Sequence, residues 1–173
     1  MERDKNKKLF ISALFLAGKS LEVQFFQKFI NSPEIEADLA TFADEFNVMN
    51  TGLEIRAVSG GYQLVSAPDV SDTLSKYFGA RSDGLSRGAL ETLSVISYKQ
   101  RSTKAEVDTI RGVDCSHTMR VLLEKGFIAS AGRRNVAGKP LEYVTTKYFL
   151  EYFGLKSISE LPTFREWQEL HSQ

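Results

Sequence analysis

Cys115 and His117 are the pair that brings a potential nucleophile closest to a potential base. A thiol becomes a useful thiolate only with its base in hydrogen-bond reach. Two positions apart on a helix, their side chains point away from each other. The pair therefore reads as a small buried cysteine and a surface histidine. His171 stands in the C-terminal tail, and neither histidine has a cysteine or second histidine at metal-ligand spacing, so no zinc site is expected. Gly18-Lys19-Ser20 matches the end of a phosphate-binding loop, but that motif needs a glycine where Ala13 stands, and a preceding strand where residues 9–17 read as helix. Gly18 instead ends one helix and Ser20 caps the next. No catalytic set, metal or cofactor is expected.

Binding surfaces are the remaining chemistry. Arg133, Arg134 and Lys139 form one basic cluster inside the glycine-containing stretch 132–140. Such a cluster could track a phosphate backbone or meet a protein partner; the bland alternative is a solvated hairpin tip. The stretch LEVQFFQKFI (21–30) is the other candidate. Read as a helix, Leu21, Val23, Phe25, Phe26, Phe29 and Ile30 cover roughly 200° of its circumference, against the ~100° that one small core can use. The surplus aromatics Phe25, Phe26 and Phe29 are expected to meet another chain.

The elements that would position these residues occur twice. Helices are expected at 7–17, after a short frayed tail, at 21–30 and at 34–48, the last with Ile35, Leu39, Phe42, Ala43 and Phe46 on one stripe. A hairpin follows, Leu53–Ile55 and Tyr62–Leu64 around Ser59-Gly60-Gly61, and then a short helix from Val70 to Phe78. The second half repeats the order. Ser86 caps a helix with Leu90, Leu93 and Ile96 inward. Thr103 and Glu106 fit a capping box opening a helix that carries Val107 and Ile110 and stops at Gly112. A helix from about Cys115 to Lys125 turns Met119, Leu122 and Leu123 inward. Strands at 127–131 and 141–145 precede a helix at 146–153, and Ser157 and Thr163 can cap further turns, the second opening a tail helix.

Three helices and a hairpin make the winged-helix variant of helix-turn-helix. The reading is therefore α+β, mainly α, with two tandem winged-helix domains: residues 1–78, a linker at 79–87 within FGARSDGLSR, and residues 88–173. The 173 residues carry 22 basic and 22 acidic side chains, so net charge gives no general attraction to nucleic acid. The zero hides an asymmetry: nine basic and twelve acidic residues up to 85, thirteen and ten after it. Glu34, Glu36, Asp38, Asp44 and Glu45 give the third helix of the first half a face that would repel phosphate. A single cysteine excludes a disulfide-stapled secreted scaffold. The apolar run Leu9–Ala17 follows Lys5, Lys7 and Lys8, as in a signal peptide, but Glu2 and Asp4 and the amphipathic stretch after it favour a buried first helix of a cytoplasmic protein. It is too short to span a membrane.

ALETLSVISYKQ (89–100), TKAEVDTIRGV (103–113), VLLEKGFI (121–128), GRRNVAGKPLEYVTT (132–146), FLEYFGLKSISELP (149–162) and LEIRAVSGGYQLVSAPDV (53–70) together resemble the segregation and condensation protein B family. The resemblance covers nearly the whole chain from about residue 9. It implies tandem winged-helix domains and a non-enzymatic, cofactor-free subunit of bacterial condensin, cytoplasmic and nucleoid-associated, acting in chromosome condensation and segregation. It also implies a homodimer, formed chiefly through the N-terminal domain. That dimer would bind the kleisin, segregation and condensation protein A, which bridges the heads of the SMC ATPase; contact with DNA would be indirect or weak. The alternative is a DNA-binding regulator working through the second helix-turn-helix and its wing.

Overall fold

The computed structural model describes residues 2–78 and 84–163. They form a mixed, mainly helical architecture divided into two compact units. The first comprises residues 2–78 with 154–157, the second residues 84–153 with 158–163.

In the first unit the order is α1 (Glu2–Ala17), β1 (Leu21–Glu22), α2 (Val23–Phe26), α3 (Ile35–Val48), β2 (Leu53–Val58), β3 (Gly61–Ser66) and α4 (Pro68–Phe78). Its sheet runs β1-β3-β2, antiparallel throughout. Helix α1 begins five residues before the expected start. Its first turns are held by ion pairs from Arg3 and Lys7 to Glu45 on α3, Lys7 at 2.8 Å. The expected helix at 21–30 is mostly absent. Leu21 and Glu22 pair with Tyr62 and Gly61 instead, leaving four residues of α2 and a turn. Gly61 is what permits this pairing, because a Cβ there would fall on the Leu21 carbonyl.

The five residues expected on the α3 stripe are all buried, and they meet Phe10, Leu14, Phe26, Ile30 and Ile55 in the core. Strands β2 and β3 are joined through Ser59 (φ 51°) and Gly60 (φ 71°). Two consecutive positive φ angles match the hairpin turn that suits the right-handed strand twist. β2 is an edge strand, and the Asn47 side chain closes it: Oδ1 accepts from the Ile55 amide at 2.8 Å, and Nδ2 donates to the Ile55 carbonyl at 3.0 Å.

The second unit repeats the order: α5 (Arg87–Lys99), β4 (Ser102–Thr103), α6 (Lys104–Arg111), α7 (Ser116–Glu124), β5 (Ile128–Arg133), β6 (Leu141–Thr145) and α8 (Lys147–Phe153), then a turn of 3-10 helix at Ile158–Glu160. The sheet order β4-β6-β5 mirrors the first. Ser86 Oγ accepts from the Ala89 amide at 3.2 Å, the cap the sequence predicts. Gly112 ends α6 at φ 68°. The core is Ala89, Leu93, Ile96, Val107, Met119, Leu122, Phe127, Ile128 and Phe149. Two residues expected inside are not: Leu90 and Leu123 are 41% and 38% exposed. Ala89 and Thr92 take the inner face of α5 instead, because Arg111 of α6 reaches across to bond the Gly88 carbonyl and the Thr92 hydroxyl, each at 2.7 Å. Of the proposed linker, residues 79–83 lie outside the described residues, as does the tail helix expected after Thr163. Among the described residues no helix is long and apolar enough to cross a membrane.

Candidate functional site

Arg134 stands in the loop between β5 and β6, on the expected basic cluster, yet its guanidinium is turned inward. It donates to Glu142 Oε1 (2.8 Å), Glu106 Oε1 (2.9 Å), Glu106 Oε2 (3.1 Å) and the Arg101 carbonyl (2.7 Å). Glu106 is also the reciprocal half of the capping box, accepting from the Thr103 amide at 2.8 Å and pairing with Lys99 at 3.2 Å. One arginine thus clamps the hairpin to the start of α6. Its forked donors hold the Glu106 carboxyl far below the usual carboxylate range, with the Thr103 amide adding to that, and the two carboxylates in turn raise Arg134. All four of these guanidinium contacts lie within the second unit, which gives Arg134 a structural role there.

The other two members of the cluster remain outside. Arg133 is exposed and donates to the Lys139 carbonyl at 2.9 Å, and Lys139 is exposed at φ 38°. Neither has a carboxylate partner among the described residues.

The turn between α6 and α7 is a second internal network. Lys104 bonds Asp108 at 2.6 Å and Asp114 at 2.5 Å. Asp108 accepts from the Cys115 amide (2.9 Å), and Asp114 from the Ser116 hydroxyl (2.7 Å). The Lys104 ammonium holds Asp114 down to about 2 and lowers Asp108; both acids raise Lys104. Cys115 is buried and donates to the Val113 carbonyl at 3.4 Å, whereas His117 is exposed, 3.5 Å from Arg120, so no hydrogen bond joins the sulfur to the imidazole. Along the outer face of α7, Arg120 is paired with Glu124 at 3.7 Å.

A pH dependence follows. Glu106, Asp108 and Asp114 have depressed values in the folded state, so each contributes stability above its ordinary pKa and loses it as pH falls through the folded value. The second unit is therefore expected to lose thermal stability from about pH 4.5 down to about 2. Unfolding midpoints measured across that range check this; a flat profile would contradict it.

In the first unit the three aromatics separate. Phe26 is fully buried, its ring 5.0 Å from Phe10, and belongs to the core. It is the part of the expected partner surface that the structure places elsewhere: with only four residues of α2, position 26 faces α1 and α3. Phe25 and Phe29 are 36% and 39% exposed, edge to face at 5.6 Å, with the Lys28 ammonium 5.3 Å from the Phe25 ring. Two further side chains on α1, Phe15 and Leu16, are 72% and 82% exposed. The sequence places both on a helix expected to be buried. The acidic face of α3 is partly neutralised, since Lys7 and then Arg3 lower Glu45. Among the described residues no group of three or more His, Cys, Asp or Glu is arranged to hold a metal ion.

The fold and these surfaces define a class: a duplicated helix-and-sheet unit, mainly helical, whose polar networks are structural and whose unspent chemistry lies in exposed apolar and basic side chains. Residues 8–164 match the family "Segregation and condensation complex subunit ScpB", and the chain belongs to that family. The segregation and condensation protein B of Symbiobacterium thermophilum is 39% identical over 158 residues, covering 90% of this chain and 72% of its own. Those of Clostridioides difficile and Desulforamulus reducens are 34% and 36% identical, covering 98% and 95% of this chain and 98% and 92% of theirs. The crystal structure of ScpB from Mycobacterium tuberculosis is similar at 30% identity and a TM-score of 0.41, covering 90% of this chain and 98% of that one. Family membership carries a role in chromosome segregation and condensation as a subunit of a complex.

Proposed function

We propose that this chain is a non-enzymatic adaptor of the bacterial condensin, binding the kleisin segregation and condensation protein A as a homodimer. Each unit acts as a winged-helix domain, residues 1–78 for dimerisation and 88–173 for a separate contact, joined by 79–87. The kleisin links the adaptor to the SMC ATPase, where the ATP chemistry resides. The adaptor works in the cytoplasm on the nucleoid, touching DNA indirectly or weakly.

The observation that carries this reading is the distribution of satisfied and unsatisfied groups. Lys104, Asp108 and Asp114, and Arg134, Glu106 and Glu142, are consumed in two internal networks of the second unit, while Phe15, Leu16, Phe25 and Phe29 stand exposed on one small unit. Exposed aromatics in such number favour a protein surface over a nucleic-acid surface. We expect light scattering to give a dimer mass for the native chain and a lower mass for the Phe25→Glu, Phe29→Glu double variant. A double variant that remains a stable dimer would remove these two residues from the interface.

A further inference from the structure

One face of α5 stays open. Leu90 is 41% exposed and Tyr98 57%, and Ser94, also exposed, stands one turn from each. Spaced four residues apart, the three form one line along the helix. The Ser94 hydroxyl donates back to the Leu90 carbonyl at 2.9 Å, which leaves a shallow notch between two large side chains. The charges beside the line are paired: Arg87 with Glu91 at 3.0 Å, and Glu91 with Arg111 at 2.8 Å. The last described stretch of chain arrives at the Tyr98 end. After the 3-10 turn at Ile158–Glu160, the Pro162 carbonyl accepts from the Tyr98 hydroxyl at 2.7 Å.

We propose that the segment following Thr163, which lies outside the described residues, seats on this line of α5 as a short amphipathic helix. Its sequence is Phe164-Arg-Glu-Trp167-Gln-Glu-Leu170, and Thr163 and Glu166 have capping-box spacing at its start. On a helix Phe164, Trp167 and Leu170 fall within an arc of about 120°. The lengths agree. Tyr98 and Leu90 are about 12 Å apart along α5, and Phe164 to Leu170 rises about 9 Å. Running back from Pro162, Phe164 meets Tyr98, Trp167 enters the notch at Ser94, and Leu170 reaches Leu90. The size of the surface selects this occupant. Two large apolar side chains fall far short of the roughly 1,200 Å² that a specific complex between separate molecules buries. A segment already pinned at Pro162 meets the same surface at an effective concentration in the ~millimolar range, so a contact too small for a second copy or a partner protein suffices for it.

Trp167 is the single tryptophan of the chain, so the full chain reports on its own tail. Acrylamide quenching of its fluorescence is expected to be several-fold weaker in the native chain than in Leu90→Glu. Ser94→Lys, which fills the notch, is expected to release the ring in the same way. Both substitutions fall at exposed positions, and cooperative thermal unfolding by circular dichroism would show that each variant folds. Val136→Glu, at a 52% exposed position in the β5–β6 loop, is expected to leave the quenching unchanged. A tryptophan as accessible in the native chain as in the urea-unfolded chain overturns the proposal. Shielding that survives both Leu90→Glu and Ser94→Lys seats the tail elsewhere and overturns it too. Shielding lost on dilution would make a second copy the occupant, and shielding that arises only when the cognate kleisin is added would make a partner the occupant; either result overturns the intramolecular seat.

Discussion

Replacing Phe26 by alanine is expected to cost the first unit about 3–5 kcal/mol, the usual loss when a fully buried phenylalanine is truncated. The ring is at 0% exposure and touches Phe10 at 5.0 Å, Phe29 at 6.0 Å and Phe25 at 5.7 Å. Around it the core has only Leu14, Ile30, Leu39, Phe42 and a few others to close the gap. A single small domain has about 5–15 kcal/mol of total stability, so the loss would bring unit one close to unfolding at ambient temperature. Phe25→Ala and Phe29→Ala remove half-exposed rings and are expected to cost about 1 kcal/mol or less in folding. Urea titration of the three variants separates the roles. A Phe26→Ala chain as stable as the Phe25→Ala chain would mean that position 26 is not a core position and that the turn after α2 is wrongly placed.

Arg134→Ala is the second large effect. It removes the cation from Glu142, whose side chain is only 12% exposed, and from Glu106. Leaving the nearly buried Glu142 carboxylate without that partner costs about 1–3 kcal/mol. Arg101 reaches Glu142 at 3.4 Å and can recover only part of it. The second unit should therefore unfold at a clearly lower temperature in Arg134→Ala, and its acid sensitivity should shrink, because Glu106 loses its largest stabilising contact. Arg133→Ala, one residue away, removes a single bond to a carbonyl and should leave the midpoint unchanged within error. Equal midpoints for the two variants would deny the clamp.

The contrast between these neighbours marks the limit of what the sequence made legible. Local signals were readable: the α3 stripe, the Ser59-Gly60 turn, the Ser86 cap and the Thr103–Glu106 capping box each depend on residues within a few positions of one another. Arg134 was readable as a basic residue in a hairpin loop, but its partners lie 28 residues away at Glu106 and 8 away at Glu142, across a sheet. Strands β1 and β4 have two residues each, too few for any periodicity, and the missing β1 is what made 21–30 look like one over-apolar helix. The excess of phenylalanines was real, but it divides between a core position and two surface positions. Spacing alone turns Leu90 and Leu123 inward. Spacing does not know that the Arg111 side chain ties α6 to α5, or that a unit this small has one narrow core.

The central claim is that this chain works by holding other proteins. Light scattering coupled to size exclusion, on an equimolar mixture with the cognate kleisin, tests it most directly. One peak is expected, with a mass that exceeds that of either component and includes two copies of this chain. Two peaks at the separate masses, at micromolar concentration and moderate salt, would contradict it.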